Sequence, residues 1–303
     1  MRAFACVLAL SVLLAGAAQA APRRVASLNL CTDELLLSLA DPGQVASVTY
    51  LAQQPEESTL WRQARVYPKN DGSLISVVRY RPDLVITMGG GGRDSARIAQ
   101  RLGIQVLNLP YPQSLGDMEA MVLQVAQMLG REAAGRGIVA RTEQLRRSRP
   151  ARSIDTIWLA GGGLTLAANG LGADWMVLAG LRQRSVRGDR VTLEQLVAAP
   201  PAILLRSAYR SGEYSADQRW LAHPLVQRAR AGRSIRTDGR PWTCLGPPMI
   251  DEIGRVRMIL GGPAPLEAPS PQRGEGWGEG VRSPRISTKA EHPHPTLSLK
   301  GEG

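Results

Sequence analysis

The chain has 303 residues, with 44% hydrophobic residues, 21% charged residues and a formal net charge of +11. That length suits two domains of ordinary size. The basic balance invites a nucleic-acid reading, but no basic block carries interleaved aromatics, and nucleic acid is set aside as a partner. The densest basic run, Arg141–Arg152, reads as a solvated helix end and its linker.

Residues 1–20, "MRAFACVLALSVLLAGAAQA", place one Arg before an apolar run and end in small residues. This pattern is a secretory signal peptide with cleavage after Ala20. The apolar run, Ala3–Ala18, is short for a membrane span, which needs ~20 residues. The expectation is a soluble exported protein. Removal of the signal leaves two cysteines, Cys31 and Cys244.

A β-α rhythm fills residues 22–112. "RRVASLNL" reads as a strand and "DELLLSLA" as a helix, with Cys31 and Thr32 in the turn between them. "QVASVTY" is a strand reaching Tyr50, and a long polar loop follows. "LISVVRYRP" is a short helix, "DLVITM" a strand, "GGGGRDSARIAQRLG" a glycine turn into a helix, and "IQVLNL" a strand. Such alternation argues a parallel sheet covered by helices.

Over 113–150 the rhythm breaks. Ser114 and Asp117 form a capping pattern, and Met118, Met121, Val122, Val125 and Leu129 form a helical apolar stripe. One long helix is expected there. The alternation resumes over 151–263, with strands at "RSIDTIWLAGGG", "AILLRS" and "RSIRTDG". Helices are expected at "GADWMVLAGL", "TLEQLVAAPP" and "MIDEIGRVRMIL". The last segment, 264–303, is rich in Pro, Gly and charge and lacks apolar periodicity. It reads as a disordered low-complexity tail.

The two β-α stretches echo each other. "ISVVRYRPDLVITMGGGG" parallels "LEQLVAAPPAILLRSAYRSG": short helix, Pro, buried strand, polar turn. The fold expected is α/β, with two Rossmann-like lobes carrying parallel sheets, joined by one long helix, and a ligand cleft between them. Strand-end turns line such a cleft. They hold Cys31, Thr32, Tyr50, Gly90, Gly91, Arg93, Gly162, Tyr209, Arg210, Trp242 and Cys244, which are the candidate ligand-binding residues. Loop aromatics can wall a flat ligand, and arginines can meet anionic oxygens.

These segments resemble a known family. "RVASLNLCTDELLLSLADPGQVASVT", "LISVVRYRPDLVITMGG", "LTLAANGLGADWMVLAGL", "VTLEQLVAAPPAILL" and "RPWTCLGPP" look like the helical-backbone periplasmic binding proteins. Those serve ABC importers of iron-siderophores, haem and vitamin B12. The resemblance covers Arg24 to Gly262 and implies a periplasmic protein that hands cargo to a membrane permease. The family carries one acid per lobe for docking the permease. Glu194 matches that position in the second lobe, while Ile75 stands in the first-lobe slot. Glu56 or Glu57 on the neighbouring loop is a candidate substitute.

Three readings of Cys31 and Cys244 stay open: a disulfide, favoured by an even count in an oxidising compartment; two thiols that contact the ligand's metal; or a nucleophile. No resident metal site is expected, because no Cys/His spacing fits one. The function expected is capture of a metal chelate, first of all an iron-siderophore complex, with no chemistry and no cofactor. Vitamin B12 or a related corrinoid is the alternative. A secreted hydrolase using Cys31 or His223 is the alternative of a different class.

Overall fold

The computed structural model describes residues 21–89, 93–210, 219–220, 222–228 and 233–261. The expected signal peptide over 1–20, Gly90, Gly91 and the expected tail over 264–303 lie outside the described residues.

Two parallel sheets are present. Strands β1 (Val25–Ser27), β2 (Val45–Thr49), β3 (Lys69–Asn70), β4 (Leu84–Met88) and β5 (Gln105–Leu109) stand in the order β3-β2-β1-β4-β5. Strands β6 (Ile154–Leu159), β7 (Leu181–Gln183), β8 (Ile203–Ser207) and β9 (Arg233–Thr237) stand in the order β7-β6-β8-β9. Each sheet starts near its middle, steps to one side, then reverses to the other. Ligands bind at such reversals in open parallel sheets. Strands β2 and β4 are buried along their whole length, so "VASVT" and "LVITM" are apolar without alternation.

Helix α1 (Leu30–Leu39) begins earlier than the sequence pattern suggests. Asn29 caps it, accepting from the Thr32 backbone N–H at 2.9 Å. Cys31 and Thr32 therefore belong to the first turn of the helix rather than to a free turn. Helices α2 (Trp61–Ala64), α3 (Leu74–Val78) and α4 (Arg93–Arg101) complete the first lobe.

The expected single helix over 113–150 is corrected to two, α5 (Leu115–Met128) and α6 (Glu132–Arg147). Gly130 has φ +67, a left-handed conformation that glycine adopts at little cost. Its N–H donates to the Gln127 carbonyl at 3.1 Å, and the Arg131 N–H donates to the Ala126 carbonyl at 2.7 Å. These two bonds make a Schellman stop. The chain then folds back: Gly135 lies against Ala126 and Val122, and Arg146 pairs with Glu119 at 2.8 Å. The joining element is an antiparallel helical hairpin.

Helices α7 (Leu171–Leu178), α8 (Leu193–Ala198), α9 (Pro224–Arg228), α10 (Pro241–Cys244) and α11 (Met249–Ile259) belong to the second lobe. The hairpin packs on both lobes. Helix α5 touches α1 and α7, and α6 touches α11. One hydrophobic core runs through from Val25, Leu36 and Ile86 of the first lobe to Trp175, Leu205 and Ile253 of the second. Polar bonds cross the seam as well. Leu115 N–H of the hairpin donates to Asp174 of the second lobe at 2.9 Å, and Gln44 Nε2 of the first lobe donates to the Leu129 carbonyl of the hairpin at 2.9 Å.

Candidate functional site

The site is built where the strand ends of the second lobe face a loop of the first. Strand β2 runs out through Tyr50 into the turn Pro55–Ser58, closed by the Glu57 and Ser58 N–H groups on the Gln54 carbonyl. Opposite stand Ala208–Arg210 after β8 and Asp238–Arg240 after β9. Pro55, Glu56, Ala208, Arg210, Arg236, Thr237, Asp238, Arg240 and Arg255 line a cavity of about 460 Å³. That volume falls within the usual range for small-molecule pockets.

The walls are held by charge. Glu57 is 6% exposed; its carboxylate accepts from Tyr209 Oη at 2.5 Å and from Arg210 Nη2. Burial pushes the Tyr209 phenol up, and the Glu57 carboxylate adds to this. Arg240 forks onto Asp238, with Nη2–Oδ2 at 2.6 Å, and reaches across to the Pro55 carbonyl at 2.8 Å. Burial works against the Asp238 carboxylate, but Arg240 outweighs it and the pKa is lowered. Arg255 pairs with Glu252 at 2.6 Å, and Glu252 also takes the Thr237 hydroxyl. Arg236 is exposed at this wall.

Gly239 explains how the two turns come so close. A Cβ there would lie 2.4 Å from the Tyr209 backbone nitrogen, so any side chain would push Tyr209 aside. Arg210 has φ 48, in the left-handed region that non-glycine residues avoid.

Of the sequence candidates, the structure brings Tyr209 and Arg210 together on the Glu57 carboxylate, and Arg210 lines the cavity. Cys31 and Cys244 form a disulfide with Cα atoms 5.1 Å apart, tying α1 to α10. No thiol is left there to meet a metal or attack a substrate, so those two readings fall. Thr32 is fully buried and bonds Ser27 Oγ at 2.7 Å, a capping role and not a ligand contact. Trp242 is 5% exposed, donates to Thr237 Oγ1 at 2.8 Å and stacks obliquely on Trp158 at 5.6 Å. It is core, because Pro241 starts a helix where a loop was expected.

Tyr50 is 47% exposed but lines a separate first-lobe pocket with Lys69, Ile75 and Arg79. Gly162 sits in a short helical turn after β6 at φ 63, and Arg190 Nη1 donates to its carbonyl at 2.6 Å. Arg93 opens α4. His223 Nδ1 accepts from the Leu225 N–H at 3.1 Å and shows no triad partner among the described residues. Glu57 is corrected as a docking substitute, since it is buried against Tyr209 and Arg210.

Helices α3 and α8 repeat the same design. Ser73 caps the first and Thr192 the second, so Ile75 and Glu194 occupy the same second helical position. Ile75 is 68% exposed and Glu194 is exposed. The Glu194 carboxyl is held below its usual range by its own backbone N–H and by Thr192.

Sequence reasoning did not find Asp238, Arg236, Arg240, Arg255 or Glu252 as parts of one site. The available signal was charge at equivalent strand ends: "PEES" after β2, "SAYRSG" after β8 and "RTDGR" at β9.

A two-lobed α/β scaffold with a pocket at strand ends defines a ligand-binding protein. The family model for periplasmic binding proteins matches residues 25–236, and the chain belongs to that family. No curated protein sequence matches significantly. Among solved structures, the chain is similar to the periplasmic haem-binding protein HutB of Vibrio cholerae at TM-score 0.62 and 18% identity, covering 78% of this chain and 98% of that one. It is similar to a periplasmic haem-binding protein from Pseudomonas aeruginosa at 0.57 and 20%, covering 78% and 92%. It is also similar to the periplasmic vitamin B12-binding protein BtuF of Vibrio cholerae at 0.54 and 16%, covering 79% and 97%. At these identities the likeness is one of fold.

Proposed function

We propose that this protein captures a metal chelate of the tetrapyrrole class in the periplasm and delivers it to the permease of an ABC importer. The observation that carries the reading is the arginine-lined cavity between the first-lobe loop and the second-lobe strand ends, on a scaffold of this family. Arg210, Arg236, Arg240 and Arg255 suit a ligand with anionic groups. Fold neighbours that bind haem or vitamin B12 favour a tetrapyrrole over the ferric siderophore that the sequence puts first. The chelate is cargo, and the protein is a binder that performs no reaction on it. Export through a cleaved signal peptide would place it in the periplasm.

Permease docking falls to the exposed faces of α3 and α8. Glu194 would meet a basic residue of the permease, and Ile75 offers an apolar contact in the matching place.

The test is tryptophan quenching of the oxidised protein, trimmed after Gly262, against haemin, cyanocobalamin, cobinamide and a ferric siderophore panel. Sub-micromolar saturation by haemin or a corrinoid supports the reading. Saturation by a siderophore alone restores the alternative, and no saturation by any probe overturns the metal-chelate reading.

A further inference from the structure

Resting on the binding reading above, we propose that segment 54–58 is a plug seated in the binding site. The Glu57 carboxylate stands in for a carboxylate of the ligand. The cargo is then a chelate bearing carboxylates, and it binds by displacing Glu57.

Glu57 is an unusual acid. It follows exposed Glu56 on a polar loop, yet it is 6% exposed. A carboxylate is buried only when its charge is met. Both its oxygens are met from the other lobe, by the Tyr209 hydroxyl and the Arg210 guanidinium. Its tie to its own lobe is a backbone bond to Gln54. A phenol beside a guanidinium is a carboxylate seat, with charge-assisted donors on one side. One carboxylate can replace another there without leaving either donor unmet.

Three further observations agree. Arg210 reaches Glu57 from a left-handed backbone, φ 48, and strained residues gather at ligand clamps. Pro55 and Glu56 of the same segment line the cavity, so its withdrawal enlarges the space and uncovers Tyr209 and Arg210. The lobes themselves stay joined by the Cys31–Cys244 disulfide and the shared core. The plug can therefore move while the lobes do not part. Arg236, exposed at the wall, shows no side-chain partner among the described residues and can take a second ligand anion.

The experiment is a double-mutant cycle on the oxidised, tail-trimmed protein: parent, Glu57→Gln, Arg210→Ala and the double variant. Each is titrated with haemin, with haemin dimethyl ester, in which both carboxylates are masked, and with cyanocobalamin. If the seat is open about a tenth of the time in the parent, Glu57→Gln tightens haemin about tenfold. The ester and cyanocobalamin show no such gain. In the Arg210→Ala background the gain disappears.

Unchanged or weaker haemin binding in Glu57→Gln, with a parent that binds haemin, overturns the plug and leaves the binding function standing. An equal gain for the ester overturns the carboxylate requirement. Binding of cyanocobalamin alone does the same. No binding of any probe by any variant removes the function and the plug together. Melting curves and the absence of free thiol verify folding. If Glu57→Gln does not fold, Glu57→Asp reads the same contrast, because its shorter arm cannot span both donors.

Discussion

Glu34 lies one turn beyond Cys31 on α1, beside Gly246 of the second lobe, with a carboxyl oxygen 3.6 Å from where a Cβ would stand there. It is 1% exposed, and neither carboxyl oxygen has a hydrogen-bond partner among the described residues. Burial raises its pKa well above the ordinary value, and Asp33 next to it adds to the rise. Burial also pushes Asp33 up to about 6, although the Thr49 hydroxyl and N–H bond it at 2.5 Å and 3.0 Å. A raised folded-state pKa penalises the folded form once the group must ionise. The stability is thus fully present below the unfolded pKa and lost as pH rises through the folded one. For Asp33 the loss runs from pH 3.8 to about 6 and amounts to about 3 kcal/mol. For Glu34 it starts near 4.5 and continues to higher pH. Glu34→Gln removes the second loss. Its melting temperature at pH 8 is expected to exceed the parent's, with the gap closing toward pH 4. A gap that is constant with pH would contradict a neutral buried Glu34.

The α5–α6 hairpin shows what an element's sequence conveys and what it withholds. The stripe Met118, Met121, Val122, Val125, Leu129 is legible, and all but Met121 are within 1% of full burial. A stripe gives a face but no direction, so the reversal after it goes unread. Its signal is Leu129-Gly130, a helix stop followed by a new helix start at Glu132. Gly135 then permits a close crossing, where a Cβ would lie 2.5 Å from the Ala126 Cβ. Gly137 has nothing within 4 Å. Gly135→Ala is expected to destabilise by roughly 1–3 kcal/mol through overpacking. Gly137→Ala should stabilise by about 0.5–1 kcal/mol through helix propensity. Equal effects in thermal unfolding would contradict the antiparallel crossing. Buried strands such as "VASVT" and "LVITM" are legible as apolar runs. Strands β3 and β7, with two and three residues, are too short to show any period. Helix α10 hides because Pro241 at its start looks like a loop.

At the scale of the whole molecule, two lobes act as one body. The disulfide joins residues with a sequence separation of 213, worth about 5 kcal/mol in the chain-entropy account. The shared core adds to that tie. Ligand exchange is thereby moved from a hinge to the loop at 54–58. The lobes, their repeat and the turns carrying Tyr209 and Arg210 are readable in the sequence, because each depends on local pattern. The acid that meets them is 152 residues from Tyr209, and no local pattern links the two. The most direct measurement is a crystal of the oxidised protein grown with its tightest-binding chelate, with diffraction recorded at that metal's absorption edge. The account predicts one anomalous peak between the 54–58 segment and Ala208–Arg210 with Asp238–Arg240. A peak elsewhere, such as the Tyr50–Ile75 pocket, or crystals of saturated protein with no peak, would contradict it.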